Sequence, residues 1–151
     1  MPSAVPVIRS ASLHGYVELA RSMGLQAESL MRQAGLSARC LDDPETPISV
    51  AAVRELLETS ARLAGVEDFG LQLARGRRLA NLGPISIVLR EAATARQALD
   101  ILVRYLRLLN ASLLTQIEEH GDVVVIREDV LVDGSGGIRQ SIELAVGVMH
   151  R

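Results

Sequence analysis

The side chains able to do chemistry in this chain are few and scattered. His14, His120 and His150 are its imidazoles, Cys40 its single thiol, and Arg104–Tyr105 an adjacent cation and phenol in a greasy stretch. A metal site needs several His, Cys or carboxylate groups at ligand spacing. The three histidines lie far apart, and none stands in an H-x-x-x-H pattern. Catalytic triads are assembled in space, yet no serine here sits in the G-x-S-x-G elbow. No catalytic residue, metal ligand or cofactor site is therefore expected.

Three charged or glycine-rich stretches have plain readings. Gly134-Ser135-Gly136-Gly137 precedes a helix, and helix N-termini bind anions. However, Ile138 and Arg139 stand where a phosphate loop or a dinucleotide fingerprint needs other residues, so the run reads as a flexible connection. Arg75, Arg77 and Arg78 read as the solvated last turn of a helix, where cations meet the negative end of the dipole. Glu118, Glu119 and Glu128 read as the solvated face of a hairpin. That leaves Arg104 and Tyr105 as the candidate ligand-binding residues, able to orient the head of a small molecule beside an aliphatic core. The plainer alternative is that Arg104 pairs with Asp100 while Tyr105 fills core with its hydroxyl at the edge.

A helix must position that pair. Thr94 is a good N-cap, and Ala98, Ile101, Leu102, Tyr105 and Leu109 recur at three- and four-residue steps. Leu99, Val103, Leu106 and Leu108 widen the stripe, which predicts a central helix packed on two sides. Arg96, Asp100, Arg104 and Arg107 form the polar strip, with four-residue spacings suited to ion pairs.

The totals bound the rest. At 151 residues the chain is one domain or a piece of one, and a hydrophobic share of 48% supports a real core. Aromatics are 2%, so the core must be aliphatic and stacking platforms for single-stranded nucleic acid are nearly absent. A net charge of -2 and a pI near 5.9 make the chain a poor partner for phosphate backbones. One cysteine permits no internal disulfide, which fits a reducing cytoplasm. No signal-peptide run and no membrane span is present in the sequence.

In chain order, a poorly ordered or strand-like lead-in runs to about Ser10. Ser10 or Ser12 then caps a helix over Leu13 to Met23, and a short helix follows from Ala27 to Ala34. The stretch LSARCLDDPETPIS reads as an irregular crossing loop. Ser49 caps a helix from Val50 to Ala64 that Gly65 ends. Another helix spans Phe69 to about Leu79, and Pro84 opens one reaching Ala92. After Asn110 the period shortens: Leu113 to Glu119 and Val123 to Glu128 flank Gly121-Asp122, a β-hairpin signal. VVVI at 123–126 is apolar on both faces and predicts neighbours on both sides of the strand or a helix over it. A last helix begins at Ile138 and reaches about His150.

Several stretches together resemble the N-terminal effector-binding, arabinose-binding-like domain of AraC-type bacterial transcription regulators. They are Ala34-Gly35-Leu36; Leu41-Asp42-Asp43-Pro44 with Ile48; Phe69-Gly70-Leu71-Gln72-Leu73; and above all LGPISIVLREAATARQALDILVRYLRLLN, with Gly83, Thr94, Ala98, Leu99 and Arg104-Tyr105 in place. The hairpin and IRQSIELAVGVMHR also fit. The resemblance implies a two-domain regulator whose N-terminal part senses a small molecule and helps dimerise, while helix-turn-helix units beyond this chain bind DNA.

The expectation is thus an α+β domain of about six or seven helices with a small antiparallel hairpin near residues 113–128. Residues 1–151 would form a sensor and dimerisation domain, C-terminally incomplete, without the DNA-binding domain. Its partners would be an unknown small-molecule effector and a second copy, with DNA reached only through the absent domain and no membrane. The protein would be cytoplasmic and no enzyme. The alternatives are a ligand-free dimerisation or protein-interaction module and, less in keeping with the residues, a small enzyme; converging carboxylates or a histidine in a cleft would favour the latter.

Overall fold

The computed structural model describes residues 5–110, 112–131 and 136–150, with the backbone alone at Leu79, Ala80 and Arg107. Asp133, Gly134 and Ser135 of the glycine-rich connection lie outside the described residues. Seven α-helices and two two-stranded antiparallel sheets are present among the described residues, an α+β arrangement.

The lead-in is a strand. β1 (Val7–Arg9) pairs antiparallel with β2 (Pro47–Ser49), Ile8 opposite Ile48. The crossing loop is therefore less irregular than its prolines and acids imply. It holds a 3₁₀ turn at Ala38–Leu41 and delivers β2 to the sheet. Its return is fixed by Ser10 N–H donating to the Thr46 carbonyl (2.8 Å) and the Ser10 hydroxyl donating to the Asp43 carbonyl (2.7 Å). With that hydroxyl engaged, Ser10 caps no helix. Ser10–Leu13 is instead a 3₁₀ turn, and Gly15, at φ 79°, turns the chain into α1 (Tyr16–Ser22). The single helix read from Leu13 is thus broken at a residue only glycine suits.

α2 (Ala27–Gln33) and α3 (Val50–Ala64) follow. The Ser49 hydroxyl accepts from Ala52 N–H at 3.3 Å, capping α3, and Gly65 at φ 68° ends it. α4 (Phe69–Arg75) stops at Gly76, short of Leu79. These helices enclose the core: Leu13, Tyr16, Met31, Leu56, Leu57 and Phe69 are almost fully buried. Tyr16 and Phe69 meet at 6.1 Å between ring centroids. The Tyr16 hydroxyl lies 2.9 Å from Ser60 Oγ, which itself donates to the Leu56 carbonyl at 2.7 Å. The one buried phenol is therefore satisfied.

The second half is built differently. α5 (Ile85–Arg90) and α6 (Ala95–Leu109) form a pair, and the Thr94 hydroxyl caps α6 by accepting from Gln97 N–H at 3.2 Å. β3 (Leu113–His120) and β4 (Val123–Val130) make the hairpin, from Leu113 opposite Val130 to His120 opposite Val123. α7 (Arg139–Met149) then lies against α4, α3 and β4.

Two sequence expectations fail here. α6 is not packed on two sides: among its described side chains only Leu106 is buried, and Leu108 is 74% exposed. Its neighbours are α5 and β3, and much of its apolar stripe faces open space. The VVVI run is not covered either. Val123 and Val124 are more than half exposed, because β4 has one strand neighbour and the turn end of the hairpin projects from the body.

Candidate functional site

The inner stripe of α6 (Ala98, Leu99, Leu102, Leu106 and Leu109) walls a cavity of about 340 Å³. Val50, Val53 and Leu57 of α3 form a second wall, and Leu144, Ala145 and Val148 of α7 a third. Leu113 and Val130 of the hairpin close it alongside Ile8 of β1. An isolated bridge between Ile8 and Asn110 joins the first strand to the end of α6. The volume falls in the lower part of the range for small-molecule pockets, ~300–1,000 Å³, and a mainly aliphatic lining with a few polar groups is their usual chemistry.

Two polar groups stand out. Arg77 reaches back from the end of α4 to η-contacts with the chain start: Nη1 donates to the Ala11 carbonyl and Nη2 to the Ser12 carbonyl, the latter at 2.6 Å. Its Nε is buried without a partner among the described residues. Burial, and next the charge of Arg9, lower its pKa to about 10. Arg9 has its own counterion in Glu45. Arg77 is thus not part of a solvated last turn, although its spacing with Arg75 and Arg78 implies one; it clamps the Ser10–Leu13 turn and borders the cavity, as Arg78 and Asn81 do.

Glu128 is the second. Thr115 is its cross-strand partner on β3, and both of its carboxylate oxygens are shut off from solvent with no hydrogen-bond partner among the described residues. Burial pushes its carboxyl above the ordinary carboxylate value. The solvated-face reading therefore holds for Glu119 at the surface but not for Glu128, which lines the cavity. Glu118 meets Arg127 at 3.2 Å and His120 at 3.4 Å, and those two partners hold its carboxyl below the usual range.

Arg104 and Tyr105 lie elsewhere. Neither lines the aliphatic cavity. Arg104 borders a shallower depression between α5 and α6, with Val88, Glu91, Asp100 and Ile101. Asp100 pairs with Arg96 at 3.0 Å rather than with Arg104, and Arg96 also meets Glu119. Tyr105 is 38% exposed. The pair is split between surfaces because consecutive helical residues point about 100° apart. His14, His120 and His150 are all exposed and Cys40 is buried. Among the described residues no group of three His, Cys, Asp or Glu side chains could hold a metal ion.

α7 ties the cavity to the core. Gln140 donates through Nε2 to the Glu67 carbonyl and accepts from Gly70 N–H, both at 2.8 Å, while its own N–H donates to Glu58 at 2.9 Å. Gly70 and Gly147 let α4 and α7 approach so closely that a Cβ at Gly70 would collide with the Gln140 carbonyl.

The helical body and the hairpin together line one mainly aliphatic cavity. Residues 24–151 match the family model described as the arabinose-binding domain of AraC transcription regulators, N-terminal part, and the chain belongs to that family. Its curated relatives include the HTH-type transcriptional regulator VirS of Mycobacterium tuberculosis, from strains CDC 1551/Oshkosh and ATCC 25618/H37Rv. Each is 34% identical over 100 residues, covering 66% of this chain. That alignment covers 29% of VirS, so the chain spans under a third of the length of these relatives. No described helix is long and apolar enough to cross a membrane.

Proposed function

We propose that this chain is the effector-sensing part of a cytoplasmic transcription regulator, that it carries out no catalysis, and that the α3–α6–α7 cavity is its sensor site. The cavity carries the reading: a core that could have closed over its own leucines leaves about 340 Å³ beside a helix tied to the rest of the fold. The family is described by arabinose binding. A sugar needs a hydrogen-bond partner for nearly every hydroxyl, and walls of Leu and Val do not supply them. An effector with an apolar body fits better.

α7 is the element through which occupancy would be felt. One side packs on α4 and α3, the other lines the cavity, and a ligand acts by favouring the α7 arrangement it fits best. Self-association is part of the proposal: Val123, Val124 and Leu108 expose apolar surface that a second copy could cover. DNA recognition is assigned to helix-turn-helix units outside residues 1–151. Arg104 and Tyr105 stay candidates for contacts at the shallower depression between α5 and α6.

The test is a thermal-shift screen of small organic molecules against the wild type and Leu102→Trp, which plugs the cavity. Binding to the folded form raises apparent stability by mass action. Compounds that stabilise the wild type and not the plugged variant support the proposal. Hits equally strong in both place binding elsewhere, and an absence of hits favours a ligand-free dimerisation module.

A further inference from the structure

At the tip of the hairpin a strand edge and a run of apolar side chains are open together. β4 belongs to a two-stranded sheet, so β3 is its one strand neighbour among the described residues. Val123, Val124, Val125 and Ile126 are consecutive and all exposed, and they alternate between the two faces of the strand. Edge strands that stay single commonly carry a lysine, a proline or a bulge that wards off pairing. This run carries no lysine or proline, and its register with β3 is unbroken from Leu113 to His120.

The ladder fixes which backbone groups face outward. Leu131 N–H donates to the Ser112 carbonyl at 2.6 Å, which makes 112–131 a hydrogen-bonded pair. In an antiparallel ladder such pairs alternate with non-hydrogen-bonded ones. The register then makes Glu118–Val125 and His120–Val123 hydrogen-bonded, in keeping with a two-residue turn at Gly121-Asp122. Val124 and Ile126 therefore aim their N–H and C=O groups away from β3, along the free edge.

We infer that a second copy of this chain pairs with that edge, antiparallel about a two-fold axis at Val125, and joins two hairpins into one four-stranded sheet. The inference rests on the self-association proposed above and names its surface. Outward backbone groups must meet outward groups, so the axis falls on a residue and not between two. An axis at Arg127, Glu128 or Asp129 sets like charges face to face. An axis at Val124 sets Ile126 against the second copy's Asp122, and one at Ile126 sets Val124 against the second copy's Glu128. An axis at Val125 sets Val124 against the second copy's Ile126 twice, and Val125 against its own counterpart. Arg127 then lies opposite the second copy's Val123, where its aliphatic stem covers the valine. The shared ladder stops there, because Glu128 next meets the Asp122 turn. The run is thus complementary to itself, as an isologous interface requires, and the use of one edge by both copies closes the assembly at two. Main-chain hydrogen bonds supply the affinity and the side chains the register.

The experiment is sedimentation velocity of the whole chain over a concentration series. Val124→Pro removes an outward N–H that the hairpin itself does not use, so it should weaken the wild-type dimer at least about tenfold in Kd while Val125 N–H stays protected from exchange. Val124→Lys with Ile126→Lys sets lysines face to face twice and should abolish the dimer. Val124→Lys with Ile126→Glu sets Lys against Glu twice and should restore it. Under oxidation Val125→Cys should cross-link to its counterpart and Val123→Cys should not, because position 125 alone lies on the axis; buried Cys40 is common to both. These cysteine variants keep the test readable if a charged pair unfolds the chain. A wild-type dimer that withstands Val124→Pro and the paired lysines, or that cross-links at 123 in preference to 125, overturns the inference and leaves self-association through another surface standing. So does a folded Lys/Glu variant that fails to dimerise. A wild type that stays monomeric across the series overturns the inference and the self-association reading together.

Discussion

The two halves of this molecule are packed by different rules. From α1 to α4, side chains seal one another: Leu13, Tyr16, Leu56, Leu57 and Phe69 are close to wholly buried, and the Tyr16 hydroxyl is passed on to Ser60 and the α3 backbone. From α5 to α7, among described hydrophobic side chains, only Leu106, Leu113 and Leu144 reach comparable burial. Leu108, Val123 and Val124 stand in solvent. Apolar content does not separate the halves, since α6 is as leucine-rich as any helix here. What separates them is whether the chain supplies the neighbours. The first half buries its largest side chains against one another. The second leaves much of its apolar surface facing a cavity or solvent.

That contrast is breakable by substitution. The largest effect should come from Leu56→Ala in the sealed half, a loss of about 3–4 kcal/mol in chemical denaturation, because the removed atoms leave a void in close packing. The matched Leu102→Ala in the open half should cost less than about 1.5 kcal/mol, since that side chain borders space already empty. Equal losses would erase the distinction. Gly70→Ala tests the seam between the halves. Its Cβ would strike the Gln140 carbonyl, so overpacking should cost about 3 kcal/mol and loosen α7, read as faster amide exchange there.

A smaller effect is the pH dependence of Glu128. Its folded pKa is raised by burial, so the folded state holds this proton more readily than the unfolded chain does. Its favourable contribution is present below the ordinary carboxylate value, ~4.3, and is lost as pH climbs through the raised folded value. Compared with Glu128→Gln, the wild type should lose stability over that window in a pH series of melting curves. A constant difference across the series would refute an ionisable, desolvated Glu128. The smallest effects belong to the caps. Ser49→Ala should lower global stability by about 1 kcal/mol, as it starts a helix of the sealed core. Thr94→Ala should appear mainly as faster exchange in the first turn of α6, with a smaller global change.

Much of this arrangement can be read from residue order. Ser49 with Gly65 bounds α3, Thr94 starts α6, and Gly121-Asp122 marks the hairpin, because caps and turns act locally. The leucine stripe of α6 is equally legible, but what faces it is not: periodicity reports that a face is apolar, not whether protein or empty space lies opposite. For that reason α6 reads as central and VVVI as covered, and the structure exposes both. Arg77 and Glu128 are missed for a related cause. A charged residue at a helix end or on a strand looks solvated until a distant element covers it, here the Ser10–Leu13 turn for Arg77 and the cavity walls for Glu128. The hint for Glu128 lay in register: it alternates with Ile126 and Val130, two apolar neighbours on the same strand face.

The measurement closest to the central claim is amide hydrogen exchange of the whole chain, with and without a compound that stabilises the wild type but not Leu102→Trp. Slower exchange on ligand addition should concentrate in α6, β4 and α7 and leave α1 to α3 nearly unchanged. Protection spread over the sealed core, or confined to the exposed end of the hairpin, would contradict a sensor cavity between α3, α6 and α7.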